Sequence, residues 1–221
     1  MTKAKITVVK NGPLIVEGVP RYITAGGQEK DHGDRYELCR CGASFEKPFC
    51  DGSHVIFDFE DDKDDYRTPD VVDIYENDQM TLYFNRGVCS HRGICFEELP
   101  SVFRMEKSIP IDLEGASLEE IIDICHRCPS GALSFAIKPA GRDLHGGDDQ
   151  PTIRVAPRRY GYDGPYEVSG NVDLIDPDGN LPESPHHYAL CRCGHSKNMP
   201  FCSGDHWAHK FLDENSDEDV D

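Results

Sequence analysis

Short β-branched runs, rather than long helical stripes, set the hydrophobic pattern at both ends of this chain. Ile6-Thr7-Val8-Val9 and Leu14-Ile15-Val16 flank Asn11-Gly12-Pro13, a turn signal, and Tyr22-Ile23-Thr24 and Tyr36-Glu37-Leu38 supply two further strand candidates. Near the other end Thr152-Ile153-Arg154-Val155, Tyr166-Glu167-Val168 and Val172-Asp173-Leu174-Ile175 play the same parts. The middle has a different texture. Met80-Thr81-Leu82-Tyr83-Phe84 alternates as a strand, and Ser117 with Glu120 forms a capping box that opens a helix. Leu118, Ile121, Ile122 and Cys125 fall on one apolar face of that helix, which Pro129 and Gly131 end before Leu133-Ser134-Phe135-Ala136-Ile137 resumes as a strand.

The two ends are copies. Cys39, Cys41, Cys50 and His54 repeat 152 positions later as Cys191, Cys193, Cys202 and His206, with the spacing C-x-C-x8-C-x3-H in both. The register extends upstream, since Gly12-Pro13 maps onto Gly164-Pro165, Gly18 onto Gly170, and Tyr36-Glu37-Leu38 onto Tyr188-Ala189-Leu190. Three segments follow: residues 1–62 with the first copy, 63–147 as an insert, and 148–221 with the second copy and an acidic tail. Glu60 to Asp65 reads as a charged linker, and Gly146-Gly147-Asp148-Asp149 as a break. After each third cysteine, Asp51-Gly52-Ser53 and Ser203-Gly204-Asp205 carry residue types that start short helices.

Composition narrows the chemistry. With 38% hydrophobic residues the chain suits several thin cores better than one large one, and small domains of this kind lean on metals. Met1 to Ile6 lacks the apolar stretch of a secretory signal and no membrane-length run occurs, which sets the expectation of a reducing, cytoplasmic setting. Ten cysteines there read as metal ligands rather than disulfides. A net charge of −18 with no basic stripe disfavours nucleic acid. The acidic runs, Glu60–Asp65 and Asp213–Asp221, read as solvated segments, with docking of a basic redox partner as the functional alternative.

Cys39-Arg40-Cys41-Gly42 through Phe49-Cys50-Asp51-Gly52-Ser53-His54 resembles the CDGSH iron-sulfur domain, the mitoNEET family, at each signature position. The second copy matches at the ligands but carries Ser203 and Asp205 where the family has Asp and Ser. The resemblance implies two 2Fe-2S clusters, with Cys39 and Cys41 on an inner iron, Cys50 and His54 on an outer one, and Cys191/Cys193 and Cys202/His206 following suit. It also implies an α+β architecture in which two small β-rich half-domains, related by a pseudo-two-fold, flank a small ferredoxin-like α+β domain. Structural zinc is the competing use of Cys3His, although C-x-C is tighter than zinc knuckles favour. One imidazole in place of a thiolate makes a cluster less negative, raises its potential and leaves one metal bond sensitive to acid. Asp205 beside His206 favours the protonated ring, so the second site is expected to release its cluster at the higher pH.

In the insert, Cys89-Ser90-His91-Arg92-Gly93-Ile94-Cys95 and Cys125-His126-Arg127-Cys128-Pro129-Ser130-Gly131-Ala132-Leu133 resemble a divergent mono-cluster 4Fe-4S ferredoxin-type domain. The ligands this implies are Cys89, Cys95 and Cys128, because Arg92 stands where an ordinary ferredoxin has its middle cysteine. Three outcomes are open for the fourth position: Cys125, His91, or a 3Fe-4S cluster with no fourth protein ligand. His126, His145, His186, His187 and His195 have no ligand-spaced partner and stay unassigned.

No nucleophile elbow, phosphate loop or dinucleotide fingerprint occurs, so an electron carrier is expected rather than an enzyme. Its partner would be a redox protein. The rival expectation is a pH- or redox-gated cluster-transfer or iron-sensing protein, whose partner would be an apo-acceptor of clusters.

Overall fold

The computed structural model describes residues 3–104, 111–139, 142–143 and 150–214. The expected break at 146–149, His145 and the acidic tail beyond Glu214 lie outside the described residues.

Alternation in the opening segment decides which side chains turn inward. β1 (Lys5–Val8), β2 (Leu14–Glu17) and β5 (Arg35–Leu38) bury Ile6 and Val8, Leu14 and Val16, and Tyr36 and Leu38. Between them run β3 (Arg21–Ile23) and the two-residue β4 (Glu29–Lys30). A short helix, α1 (Ser53–Ile56), follows the third cysteine. The insert contributes β6 (Val72–Glu76), β7 (Met80–Asn85), α2 (Ile94–Glu98), α3 (Leu118–His126), β8 (Leu133–Ile137) and β9 (Arg142–Asp143). The second copy contributes β10 (Thr152–Val155), β11 (Tyr166–Ser169), β12 (Asp173–Ile175) and β13 (His187–Leu190). Among the described residues no α-helix follows Cys202, where the chain makes turns instead.

The two copies exchange a strand. One sheet has the order β12-β1-β2-β5 and the other β13-β11-β10-β3-β4. β12 of the second copy pairs in parallel with β1, and β3 of the first pairs in parallel with β10. The two β-rich halves therefore share one core, in which Ile6, Leu14, Leu38 and Tyr22 meet Ile153, Tyr166, Val168 and Leu190. Near the pseudo-two-fold, Cys41 and Cys193 form an antiparallel bridge. Gly42 and Gly194 allow it, since a Cβ on either would collide with the opposite cysteine's carbonyl.

The insert has its own core. β6, β7, β8 and β9 form an antiparallel sheet, and α3 packs against β8 through Ile121, Ile124 and Cys125. Ser117 makes both halves of the expected capping box with Glu120. The buried stripe is rotated from the predicted face, because Ile124 is interior while Leu118 and Ile122 lie at its edge.

Candidate metal centres

Each C-x-C motif begins one residue past a strand whose last side chain, Leu38 or Leu190, is fully buried. Two backbone bonds then fold the ligand loop back on that strand. Cys39 N donates to Pro48 O at 2.8 Å and Cys50 N to Glu37 O at 2.9 Å; Cys191 N donates to Pro200 O and Cys202 N to Ala189 O, both at 2.9 Å. Tyr166 of the second copy reaches across the molecule and donates its hydroxyl to Cys39 O at 2.8 Å.

The donors come together in pairs. Cys39 Sγ lies 3.6 Å from Cys41 Sγ, and Cys50 Sγ lies 3.4 Å from His54 Nδ1. In the second loop the same distances are 3.7 and 3.5 Å. Two thiolates on one tetrahedral metal stand about 3.8 Å apart, and a thiolate and an imidazole about 3.5 Å, given metal–sulfur and metal–nitrogen bonds of roughly 2.3 and 2.0–2.1 Å. Among the described residues, no three His, Cys, Asp or Glu side chains converge on a position for one ion. The adjacent thiols share protons unequally: hydrogen bonding to Cys41 pulls Cys39 down to about 6, while Cys41 is pushed up. Cys191 is likewise drawn to about 7 by Cys193.

Arg40 and Arg192, each between two cysteines, are fully buried. The Arg40 guanidinium donates to Gly12 O at 2.7 Å and to the Asp61 carboxylate, with the Phe59 ring 5.2 Å away. Arg192 repeats this with Gly164 O at 3.0 Å, Asp213 Oδ2 at 2.5 Å and the Phe211 ring at 5.1 Å. Asp61 and Asp213 are thus interior partners rather than members of solvated runs, because an enclosed guanidinium requires a counter-charge. The sequence held a signal for this: Phe59 and Asp61 keep the 152-residue offset to Phe211 and Asp213.

The tetrapeptide exchange preserves a latch. In the first loop Asp51 accepts from Phe45 N at 2.8 Å and Ser53 N at 2.9 Å. In the second, Lys197 N donates to Ser203 Oγ at 3.1 Å and Asp205 Oδ2 at 3.3 Å, and Ser203 donates to Asp205 at 2.5 Å. Two side chains there do the work of Asp51.

Exposure separates the loops. Cys50 and His54 are half-buried, whereas Cys202 and His206 are 3% and 4% exposed. Burial pushes His206 down to about 4, assisted by the nearby His91 and Arg192 charges and opposed by Asp205. The adjacent carboxylate therefore does not decide this ring's protonation, contrary to the expectation from sequence.

In the insert, Cys89, Cys95 and Cys128 line one cavity with Gly93, Ile94 and Leu133. Burial and the neighbouring thiols push Cys89 up to about 12 and Cys95 up to about 11. Cys125 does not line that cavity; it is fully buried in the insert's core. His91 turns toward the second ligand loop, where its ring packs on Gly204. Arg92 faces Glu167 of β11, Nε to Oε1 3.7 Å, tying the insert to the second half. Of the unassigned histidines, His195 stacks on His209 with ring centroids 3.8 Å apart, and His126 lies against Phe135.

Three stretches of the chain match known protein families. Residues 11–55 and 163–207 match the family model described as the iron-binding zinc finger, CDGSH type, and residues 75–138 match the divergent 4Fe-4S mono-cluster model. The uncharacterized protein YjdI of Escherichia coli K12 is 30% identical over 67 residues, covering 29% of this chain and 84% of that protein, and its counterpart in strain O157:H7 aligns equally. No helix among the described residues is long and apolar enough to cross a membrane.

Proposed function

Because this chain belongs to the CDGSH iron-sulfur proteins, with a divergent 4Fe-4S mono-cluster domain between its two CDGSH-type domains, we infer that it is an electron-transfer protein with three cluster sites. The observation that carries this reading is the pairing of donors. Cys39/Cys41 and Cys50/His54, and likewise Cys191/Cys193 and Cys202/His206, stand as two pairs spaced for two metals. A single tetrahedral zinc would draw all four donors to within about 4 Å of one another. Each loop thus suits a 2Fe-2S cluster. Cys89, Cys95 and Cys128 around one cavity suit a 3Fe-4S cluster, or a 4Fe-4S cluster whose last iron takes a ligand from outside the protein.

Clusters of these kinds supply one-electron chemistry when bound. The protein's own residues supply the rest. The thiolates bring negative charge, and the buried Arg40 and Arg192 set positive charge behind each C-x-C. Amide donors such as Gly204 N, 3.4 Å from Cys202 Sγ, stabilise the anionic sulfurs. Because Cys89 and Cys95 are protonated at neutral pH in the empty protein, loading the insert must release protons. A protein redox partner is the expected source or recipient of electrons.

One observation favours a second reading, cluster donation to an apo-acceptor. The outer ligand pair of the first loop is half-open to solvent, which gives an acceptor access to Cys50 and His54. Anaerobic purification followed by iron, acid-labile sulfide and EPR analysis tests the three-cluster reading. The expected result is two 2Fe-2S signals plus one from a three- or four-iron cluster, the last retained in Cys125→Ala. Stoichiometric zinc, or iron without sulfide, would sink it.

A further inference from the structure

Gly52 and Gly204 occupy the same place, midway between the third cysteine and the histidine of their loops. Nothing lies within 4 Å of a Cβ built on Gly52. A Cβ on Gly204 would collide with the His91 imidazole, whose Nδ1, Cγ and Cε1 are the three nearest atoms. The insert thus lays one ring on the second ligand loop and none on the equivalent point of the first. His91 holds a left-handed backbone, φ 55°, a conformation costly for a side-chain-bearing residue, and it borders an insert cavity with Cys89 and Cys95 as well as the second ligand loop.

Other contacts hold the insert's loop against the second half. Asn198, buried in the second loop, donates to Asp70 Oδ1 at 3.0 Å and to Gly87 O at 2.8 Å, two residues before Cys89. Arg159 packs against Gly93 and pairs with Glu97 of α2. The peptide that His91 covers is the one whose N–H donates to Cys202 Sγ. His91 keeps its outer face in solvent while Cys202 and His206 beneath are almost inaccessible.

We propose that His91 is a positioning residue of the second CDGSH site: a cap, carried by the insert, that keeps water from the Cys202–His206 edge and makes retention there depend on the insert. This rests on the three-cluster reading. It assigns His91 to the neighbouring loop and removes it from the candidates for the insert's fourth ligand. Access of water favours the more negative, reduced form of a cluster, so loss of the cap should raise the second site's potential as well as shorten its lifetime.

The test uses the anaerobically loaded full chain. His91→Gly removes the ring while suiting the left-handed backbone, and His91→Phe keeps the cover without a nitrogen. Release to an iron chelator is followed by visible absorbance, potentials by dithionite titration, and each cluster by EPR. The measurements are repeated in a Cys50→Ser background, so that the second site is read apart from the first. The expected result for His91→Gly is about 10-fold faster release from the second site, the scale for residues supporting metal ligands. Its potential should rise, the insert's signal should persist, the first site should be unchanged, and His91→Phe should restore retention. Loss of the insert's signal would overturn the proposal by making His91 a ligand of that cluster, and unchanged release would overturn it as well. A wild-type chain free of iron and sulfide would overturn the three-cluster reading and the cap together, which analysis before the release assay distinguishes.

Discussion

The two ligand loops are held by the same backbone bonds, the same buried arginine and the same donor spacing, yet they meet different surroundings. His54 lies within α1, and Val55 and Ile56 of that helix, with Phe57 just after it, are 70%, 77% and 59% exposed. Beyond His206, Trp207 takes the place of Val55 and packs between Tyr160 and Tyr162, with ring centroids 5.7 and 6.2 Å away. The insert closes the remaining side. Donor geometry is thus a property of the repeat, whereas exposure is a property of what the repeat is packed against. One chain obtains two unlike environments from one motif without any change in the repeated cysteines and histidine.

The sharpest check on the shared half of that comparison is the buried arginine. Asp61→Ala strands the Arg40 guanidinium in the interior and should cost about 3–5 kcal/mol in denaturant unfolding, whereas Asp213→Ala leaves Arg192 with the buried Asp163 carboxylate at 3.8 Å and should cost less. Equal losses would show that Asp163 does not compensate for Asp213 and that the two scaffolds are energetically equivalent.

The unlike half is tested by acid. In the unfolded chain an imidazole takes its proton near pH 6.5, whereas in the folded metal-free chain His206 does so only near 4. Stability from the neutral ring is therefore whole above pH 6.5 and drains as pH falls toward 4, by roughly 3 kcal/mol in all. His206→Asn should flatten unfolding free energy across that window, and a slope that survives the substitution would break the comparison. In the loaded protein the half-buried first loop should lose visible absorbance before the second as pH is lowered.

Two glycine variants give a smaller effect. Gly52→Ala strains a residue at φ 87° but meets no neighbour, at a cost of about 1–2 kcal/mol. Gly204→Ala adds a collision with His91 and should cost about 1–3 kcal/mol more by thermal unfolding. Smallest of all, Ile56→Ser on exposed α1 should stay within about 0.5 kcal/mol of wild type.

Much of the candidate site was legible because its cysteines and histidines repeat at a fixed offset and each C-x-C follows a recognisable strand. The strand runs in the repeats, the strands beginning at Met80 and Leu133, and the Ser117 capping box all declared themselves locally. Long-range pairing did not. Nothing in Tyr22-Ile23-Thr24 says that it joins β10 rather than β1, since a three-residue strand has too little pattern to choose a partner. Asp61 and Asp213 were hidden by their acidic neighbours, which made composition speak for the group when two members had a buried partner. α2 was missed because five residues after a left-handed Gly93 carry no side-chain cap or helical stripe. Cap-type residues after the third cysteine were no guide either: among the described residues no helix follows Cys202, while α1 forms after Cys50 without any side-chain cap.

The exchanged strands also bear on the order in which a ribosome delivers this protein. β1 needs β12, and their paired residues Lys5 and Asp173 are separated by most of the chain. The ladders joining β6, β7 and β8, by contrast, lie wholly within residues 72–137. During synthesis the insert therefore has its sheet partners well before the first ligand loop has Tyr166 to brace Cys39. The first CDGSH loop, though made earliest, is finished only when the last third of the polypeptide has emerged, and its pairing is of the slow, non-local kind.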